Sequence, residues 1–273
     1  MTQSGARPSL SVEHVQSLLR TQAIGRTMQA FDVVDSTNTV AAEWIERGAP
    51  HGTVVVADYQ KQGRGRLGRT WSARAGLNLT FSVVLRPEMP FDRIGLLTIA
   101  ACLGASKAVD RFVSPLRTSV KWPNDIYLNG KKTCGMLLEA SWGTPDRNPA
   151  IVLGIGMNVN QEDFPAELEE RATSILLETG RITPRAELLA AVLGELETAI
   201  AGASTDDEIL RRDYVKRMMS FEERIRLRFA HIGSEVTGIV RGLDRSGGLI
   251  LETDAGRHVF HAGEVTHAAQ LEG

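Results

Sequence analysis

Residues 60–71 read QKQGRGRLGRTW, with three glycines (Gly63, Gly65, Gly68) set among three arginines (Arg64, Arg66, Arg69). They follow a β-branched run at 53–59, which has the composition of a buried strand, and they precede a second strand-like run at 77–85. The glycines satisfy GxGxxG spacing. In the dinucleotide-binding fold, however, a helix must begin at that loop, because its N-terminus holds the pyrophosphate. Here residues 69–76 are loop-like and the next element is a strand, so context excludes that fold. No GxxxxGK[ST] motif occurs either. Glycine permits close backbone approach, and arginine supplies a permanent charge on a planar fork. The segment is therefore expected to be a mobile cationic flap over an anionic small molecule, with a solvated basic loop as the alternative.

The chain has 273 residues, 42% apolar and 23% charged, which suits one large domain or one with a small satellite. A net charge of −2 argues against nucleic-acid or membrane binding by bulk electrostatics. There is no apolar signal-like run at the N-terminus and no 18-residue apolar stretch. Cys102 and Cys134 have no metal-ligand spacing, so a reduced, cytoplasmic protein is expected.

Residues 1–10 have the composition of a loose tail. Ser11 caps a predicted helix running towards Gly25. Residues 29–34 are strand-like, and Ser36 opens a helix closed by Gly48. Residues 77–85 alternate. Asp92 is placed to cap a long helix reaching Phe112. Three strands are predicted at 119–122, 126–128 and 134–140, with Asn129-Gly130 as the hairpin turn between the last two. Another strand is expected at 151–159. Pro184 suits the first position of a helix, and 205–208 reads as a capping box for one more, ending near Met218. Beyond Phe221, short strands recur at 225–229, 236–240, 249–252 and 258–261, which predicts a small closed β-barrel. The expected division is an N-terminal segment 1–28, a main domain 29–220 and a C-terminal barrel 221–273.

Four further features carry chemistry. Lys121-Trp122-Pro123-Asn124-Asp125 places an ammonium, an amide and a carboxylate at a strand end, suited to phosphates and Mg²⁺; solvated or paired side chains are the plainer reading. Lys132, ahead of Gly135 and an apolar strand, has the pattern of an ammonium projected into a cleft, or of a hairpin lysine in water. Cys134 reads as a small buried hydrophobe. Gly154 and Gly156 inside an apolar run indicate close approach of a ligand or of a packed helix, with Asn158 at the strand end. His258 and His261 read as surface barrel residues, and the arginines at 224, 226 and 228 as the wet face of a strand.

Taken in order, Asp35-Ser36-Thr37-Asn38, then 60–71, 121–125, 132–139 and 154–158, strongly resemble the biotin–protein ligase family, over roughly residues 30–265. The resemblance implies an α+β fold: a mixed β-sheet flanked by helices, of the class II synthetase-like type, with a small C-terminal SH3-like β-barrel. It implies that Ser36, Thr37, Asn38 and Gln60 contact biotin. Arg64, Gly65 and Arg66 close over biotin and the adenylate, with Gly135 and Gly154 lining the biotin side. Lys132 serves the biotin carboxylate and α-phosphate. Trp71, Arg69, Lys121, Asn124 and Asn158 lie on the nucleotide side, Asp125 is a metal contact, and Arg241 is a possible nucleotide contact. Leu67 stands where some relatives carry another arginine, so the flap's charge is not fully preserved.

The implied reaction uses ATP and Mg²⁺. A carboxylate cannot acylate an amine directly, because oxide is too poor a leaving group. Biotin carboxylate attacks the α-phosphorus to give biotinyl-5′-AMP and pyrophosphate, and a lysine of a biotin carboxyl carrier protein then takes the biotinyl group. Two anions approach one another, so the fixed cations Arg64, Arg66, Arg69, Lys121 and Lys132 are expected to stabilise the transition state. Asp125 is the candidate to orient or deprotonate the incoming lysine. Rival expectations are a lipoate–protein ligase and a biotin-sensing repressor. The short stretch ahead of residue 30 leads to the expectation of a ligase without a DNA-binding domain, acting as a monomer or weak homodimer.

Overall fold

The protein is described here by a computed structural model over residues 10–141, 150–229 and 233–267; of the expected tail, residues 1–9 lie outside the described residues. Two strands that pair in parallel need a crossover between them. That crossover is α2 (Thr37–Glu46), which joins β1 (Met28–Val34) to β2 (Val54–Gln60). Every other pairing in the main sheet is antiparallel: β3 (Leu79–Leu85), β4 (Thr118–Lys121), β5 (Asp125–Leu128), β6 (Lys131–Ser141) and β7 (Ala150–Met157) complete the order β1-β2-β3-β7-β6-β5-β4. This is the mixed sheet expected from the sequence.

Helices cover both faces. Leu97, Ala101 and Ala105 of α3 (Gly95–Val113) and Leu189, Val192 and Leu196 of α5 (Arg185–Thr205) form one buried cluster with Val54, Val56, Phe81, Val83, Leu153 and Ile155. Ala41 and Ile45 of α2 pack on the opposite face against Val55, Val84 and Val152. Residues 77–85 alternate in the sequence, which predicts one wet face, yet all seven residues of β3 are buried because both faces are covered. α5 has the length and hydropathy of a membrane span, but its apolar side chains sit in this core.

Local differences from the sequence expectations have local causes. α1 (Val12–Leu18) is capped by the Ser11 side chain but stops well short of Gly25, because Leu19 is already extended. Asp92 does not cap α3: it lies in a 3₁₀ turn over Phe91–Arg93, closed by Arg93 N–H to Pro90 O, and the long helix starts at Gly95. α5 begins one residue after Pro184 and runs through Thr205, which dissolves the supposed capping box; Asp206 caps α6 (Asp207–Val215) through Ile209 N–H. A short helix, α4 (Ile175–Thr179), was not anticipated. Asn129 and Gly130 both adopt positive φ (48° and 78°), as the hairpin required.

The C-terminal strands β8 (Arg224–Phe229), β9 (Ser234–Leu243), β10 (Leu249–Thr253), β11 (Gly256–Phe260) and β12 (Glu264–His267) form an antiparallel sheet in the order β11-β10-β9-β8-β12. Strand β12 had no signal in the sequence reading. Among the described residues β11 and β12 are edges, so hydrogen bonds do not close the predicted barrel. The sheet nevertheless curls until Phe229 and Phe260, on non-adjacent strands, come within 5.6 Å of one another between ring centroids. Its inner residues Leu227, Val240, Leu249 and Val265 join the same buried cluster as the main domain. His258 and His261 are exposed, as are Arg224 and Arg228.

Candidate active site

The 60–71 segment leaves the end of β2 and turns back over the sheet as a small hairpin. Gly65 N–H donates to Arg69 O at 2.7 Å and Trp71 N–H to Gly63 O at 2.9 Å, around an Arg64–Thr70 bridge. Leu67 at its tip adopts the left-handed conformation (φ 57°), unusual for a branched side chain. The expected mobile flap is thus a folded hairpin whose three arginines are engaged. Arg64 pairs with Glu139 at 2.9 Å, Arg66 donates to Asn124 Oδ1 at 2.9 Å, and Arg69 pairs with Glu264 of β12 at 2.6 Å.

Under this hairpin lies a cleft of about 880 Å³. Of the residues singled out from the sequence for the site, it is lined by Ser36, Thr37, Asn38, Gln60, Arg64, Gly65, Arg66, Arg69, Trp71, Lys121, Asn124, Asp125, Lys132, Gly135, Gly154 and Asn158. Arg241 does not line it; it is paired with Glu252 at 2.5 Å on the C-terminal sheet.

One end is a buried, neutral hydrogen-bonding pocket. Ser36 ends β1's exit loop at the start of α2, so Thr37 N–H, an unsatisfied donor of the first helical turn, points outwards. It donates to Gln60 Oε1 at 2.8 Å, and Thr37 Oγ1 donates to the same oxygen at 3.0 Å. Ser82 Oγ lies 2.6 Å from Asn38 Oδ1 and 2.7 Å from Thr37 Oγ1, and Asn38 Nδ2 donates to Glu139 at 2.6 Å. Asn38 lies directly on the strand behind it: a Cβ at Gly154 would sit 2.2 Å from Asn38 Oδ1.

The other end is flat and cationic. Gly135 and Gly156 are partners across β6 and β7, and the Trp71 indole rests on this bare backbone; a Cβ at Gly156 would meet Trp71 Cε2 at 2.3 Å. Lys132 Nζ stands 5.7 Å from the Trp71 ring and 2.7 Å from Asp125 Oδ1. Lys121, partner of Asp125 across β4 and β5, lies 5.8 Å from the Tyr127 ring. Burial draws the Lys121 ammonium below the ordinary lysine range, against the attraction of Asp125 and Glu264. Burial also lowers Arg66 and pushes the Tyr127 phenol up to about 12. Trp71 Nε1 and Asn158 Oδ1 are buried without a protein partner among the described residues, the indole nitrogen lying against the Gly156 backbone.

Geometry adds to two expectations. Asn124 spends its amide on Met136 O (2.7 Å) and Arg66, so it is a brace between the flap and the sheet before it is a ligand contact. Asp125 is held against Lys132 Nζ at 2.7 Å, a contact that fixes the carboxylate beside the incoming group. The described residues hold no cluster of three metal-ligating side chains, and this single, already paired carboxylate does not make a resident metal site. Cys134 is fully buried and its thiol is pushed far up by desolvation, consistent with a hydrophobe.

The sequence reading did not single out Glu139, Ser82 or Glu264, which tie the pocket and the flap together. Their signal is weak because each acts through a partner distant in the chain. Burial works to raise the Glu264 carboxyl, but the Arg69 hydrogen bond and charge bring it below the usual range. Phe164, Leu168 and Arg171, from the segment between β7 and α4, complete the rim; Lys132 N–H bonds Arg171 O at 2.8 Å.

Comparison with known proteins gives a consistent result. Residues 30–158 match the biotin/lipoate A/B protein ligase family and residues 221–267 the biotin protein ligase C-terminal domain. The chain is 35% identical over 259 residues to a biotin–[acetyl-CoA-carboxylase] ligase of Mycobacterium tuberculosis, covering 91% of this chain and 94% of that one. It is 32% identical over 262 residues to the bifunctional ligase/repressor BirA of Bacillus subtilis, covering 94% and 78%. The structure of the Aquifex aeolicus biotin protein ligase in complex with biotin and ATP superposes with a TM-score of 0.76 at 32% identity, covering 88% of this chain and 98% of that one.

Proposed function

Because the chain belongs to the biotin/lipoate A/B protein ligase family, we propose that its cleft carries out ATP-dependent attachment of biotin to a carrier-protein lysine through biotinyl-5′-AMP. The observation that carries the reading is the division of one cleft into a hydrogen-bonding pocket and a cationic, aromatic-floored shelf that carries Lys132. The ureido ring of biotin is neutral and needs paired donors and acceptors, which Thr37, Asn38 and Gln60 supply. Adenine needs a flat apolar surface with a few polar contacts, which Trp71 and Asn158 supply.

Between these ends the biotin carboxylate meets the α-phosphate. Arg66, Lys121 and Lys132 oppose the repulsion of the two anions and stabilise the charge that builds on the pentacoordinate phosphorus. Their positions are preset by Asn124, Asp125 and the sheet, so little reorganisation is needed at the moment of reaction. Pyrophosphate leaves towards solvent, and the flap shields the mixed anhydride from water. In the second step the carrier lysine attacks as a neutral amine, and Asp125 orients it. Mg²⁺ enters with ATP as part of the substrate complex, held chiefly by phosphate oxygens. The acceptor is a biotin carboxyl carrier protein, and the enzyme works in the cytoplasm without DNA, as a monomer or weak homodimer.

Pyrophosphate release tests the reading. Release with biotin plus MgATP, and transfer to a carrier domain, is expected. Release with lipoate and not biotin would overturn the substrate assignment, and a footprint on duplex DNA would favour the repressor.

A further inference from the structure

We propose that Trp122 is a positioning residue for the nucleotide half of this reaction, coupling the 121–125 hairpin to the C-terminal sheet through a single hydrogen bond. The inference rests on the functional reading above and extends it to a buried residue at the cleft's edge whose indole N–H points away to the C-terminal sheet. Trp122 is 2% exposed, and its Nε1–H donates to Gly247 O at 3.0 Å. A buried indole N–H requires a partner; here the partner belongs to the turn between β9 and β10.

That turn has little freedom of its own. Asp244 Oδ1 accepts from the N–H groups of Ser246 (3.0 Å) and Gly248 (2.7 Å), and Gly247 is left-handed at φ +84°. It is seated hard on α3: a Cβ at Gly95 would lie 2.8 Å from Ser246 O, and one at Gly247 would lie 3.0 Å from Ile99. Arg211 of α6 donates to Leu243 O at 3.1 Å, just ahead of it. The turn is therefore a fixed point against which Trp122 is held.

On its other side Trp122 belongs to a very short connection. Lys121 and Asp125 face each other across β4 and β5, and only residues 122–124 join them. A displacement of the Trp122 ring must then move Lys121, Asn124 and Asp125, and with Asn124 the Arg66 contact and with Asp125 the Lys132 contact. The hydrogen bonds of the biotin-ring pocket come from α2, β2 and β3, with Glu139 of β6, and none comes from this hairpin. Loss of the Trp122 bond should consequently be felt more by ATP than by biotin, whose ring pocket is hydrogen-bonded elsewhere.

The test uses the full chain. Trp122→Phe keeps an aromatic ring and removes the donor. Gly95→Ala wedges the turn away from α3 without touching the cleft. For each, the KM for MgATP and kcat of pyrophosphate release are measured beside the biotin Kd and the thermal midpoint. One buried hydrogen bond predicts a five- to tenfold rise in KM for MgATP, or an equal fall in kcat/KM, of roughly that size for a lost bond. The biotin Kd should stay within about twofold, the two variants should be non-additive when combined, and Gly95→Ala decides alone if Trp122→Phe does not fold. Unchanged ATP parameters, or biotin and ATP affinity falling together, would overturn the inference. An active parent with unaffected variants sinks the inference only, whereas a parent that releases no pyrophosphate with biotin sinks the functional reading and the inference with it.

Discussion

Gly154→Ala is the sharpest probe of the biotin pocket. The new Cβ would start 2.2 Å from Asn38 Oδ1, and ordinary contact begins at 3.4 Å, so the Asn38 amide must retreat by about 1.2 Å. Two hydrogen bonds hold it where it is, one from Ser82 and one, charge-assisted, to Glu139, both 2.6 Å. Neither survives a shift of that size. The neutral bond is worth about 1 kcal/mol and the charged one about 1.5–3 kcal/mol, so restoring the pocket for biotin should cost about 2.5–4 kcal/mol, or roughly 60- to 700-fold in Kd. The backbone itself gains, because alanine in a strand is favoured over glycine by about 0.5–1 kcal/mol. Both bonds are lost without ligand too, so stability should fall with affinity, offset only in part by that backbone gain. Calorimetry with biotin reads the affinity and thermal unfolding without ligand the stability. Asn38→Ala supplies the control: with the clashing amide gone, Gly154→Ala should add little. A Gly154→Ala protein that binds biotin within threefold of the parent, or that loses as much affinity in the Asn38→Ala background as in the parent, would refute this account of the glycine.

Lys132→Ala should slow single-turnover adenylation roughly 100- to 1000-fold, since it removes one preset cation from the developing charge, while the unfolding midpoint moves little; near-parental adenylation would dismiss that role. Arg66→Ala frees the flap from Asn124 and should release biotinyl-5′-AMP into solution faster, as read by free adenylate in a quenched reaction; equal release from parent and variant would count against the clamp. Burial lowers the Lys121 pKa, so the folded protein gives up that proton before the unfolded chain does. In the interval between the two pKa values the unfolded state binds more protons, and this group's contribution makes stability rise with pH. Tyr127, raised to about 12, acts in the opposite sense above the ordinary tyrosine range. The parent-minus-variant difference for Lys121→Met isolates the lysine: it should remove the rise and slow adenylation, and an unchanged pH slope of stability would show that Lys121 is not titrating as described.

Much of the molecule was written in the chain order. The β-branched and apolar runs specified most strands of the main sheet, because burial demands those residues whatever the partners. Asn129-Gly130 specified its turn, because few residues tolerate two successive positive φ values. The spaced motifs led to many of the residues that line the cleft, since these lie at strand ends or turns where chemistry-bearing side chains are unusual. What local pattern could not carry was anything decided by a distant partner. Residues 77–85 alternate as a half-wet strand does, yet β3 is buried on both faces because α2 and the α3–α5 layer happen to cover it. The arginines of 64, 66 and 69 read as free cations, and only the tertiary arrangement sets Glu139, Asn124 and Glu264 against them. Asp125 reads as an unpaired carboxylate, and only the fold puts Lys132 at 2.7 Å from it. Trp122 has no assigned role in the sequence, and its hydrogen bond to Gly247, 125 residues later in the chain, exists only because the C-terminal sheet docks there. Residue type follows from local burial and turn geometry, which short segments encode; charge pairing and strain depend on which segments meet, and that is set by the packing of the whole chain.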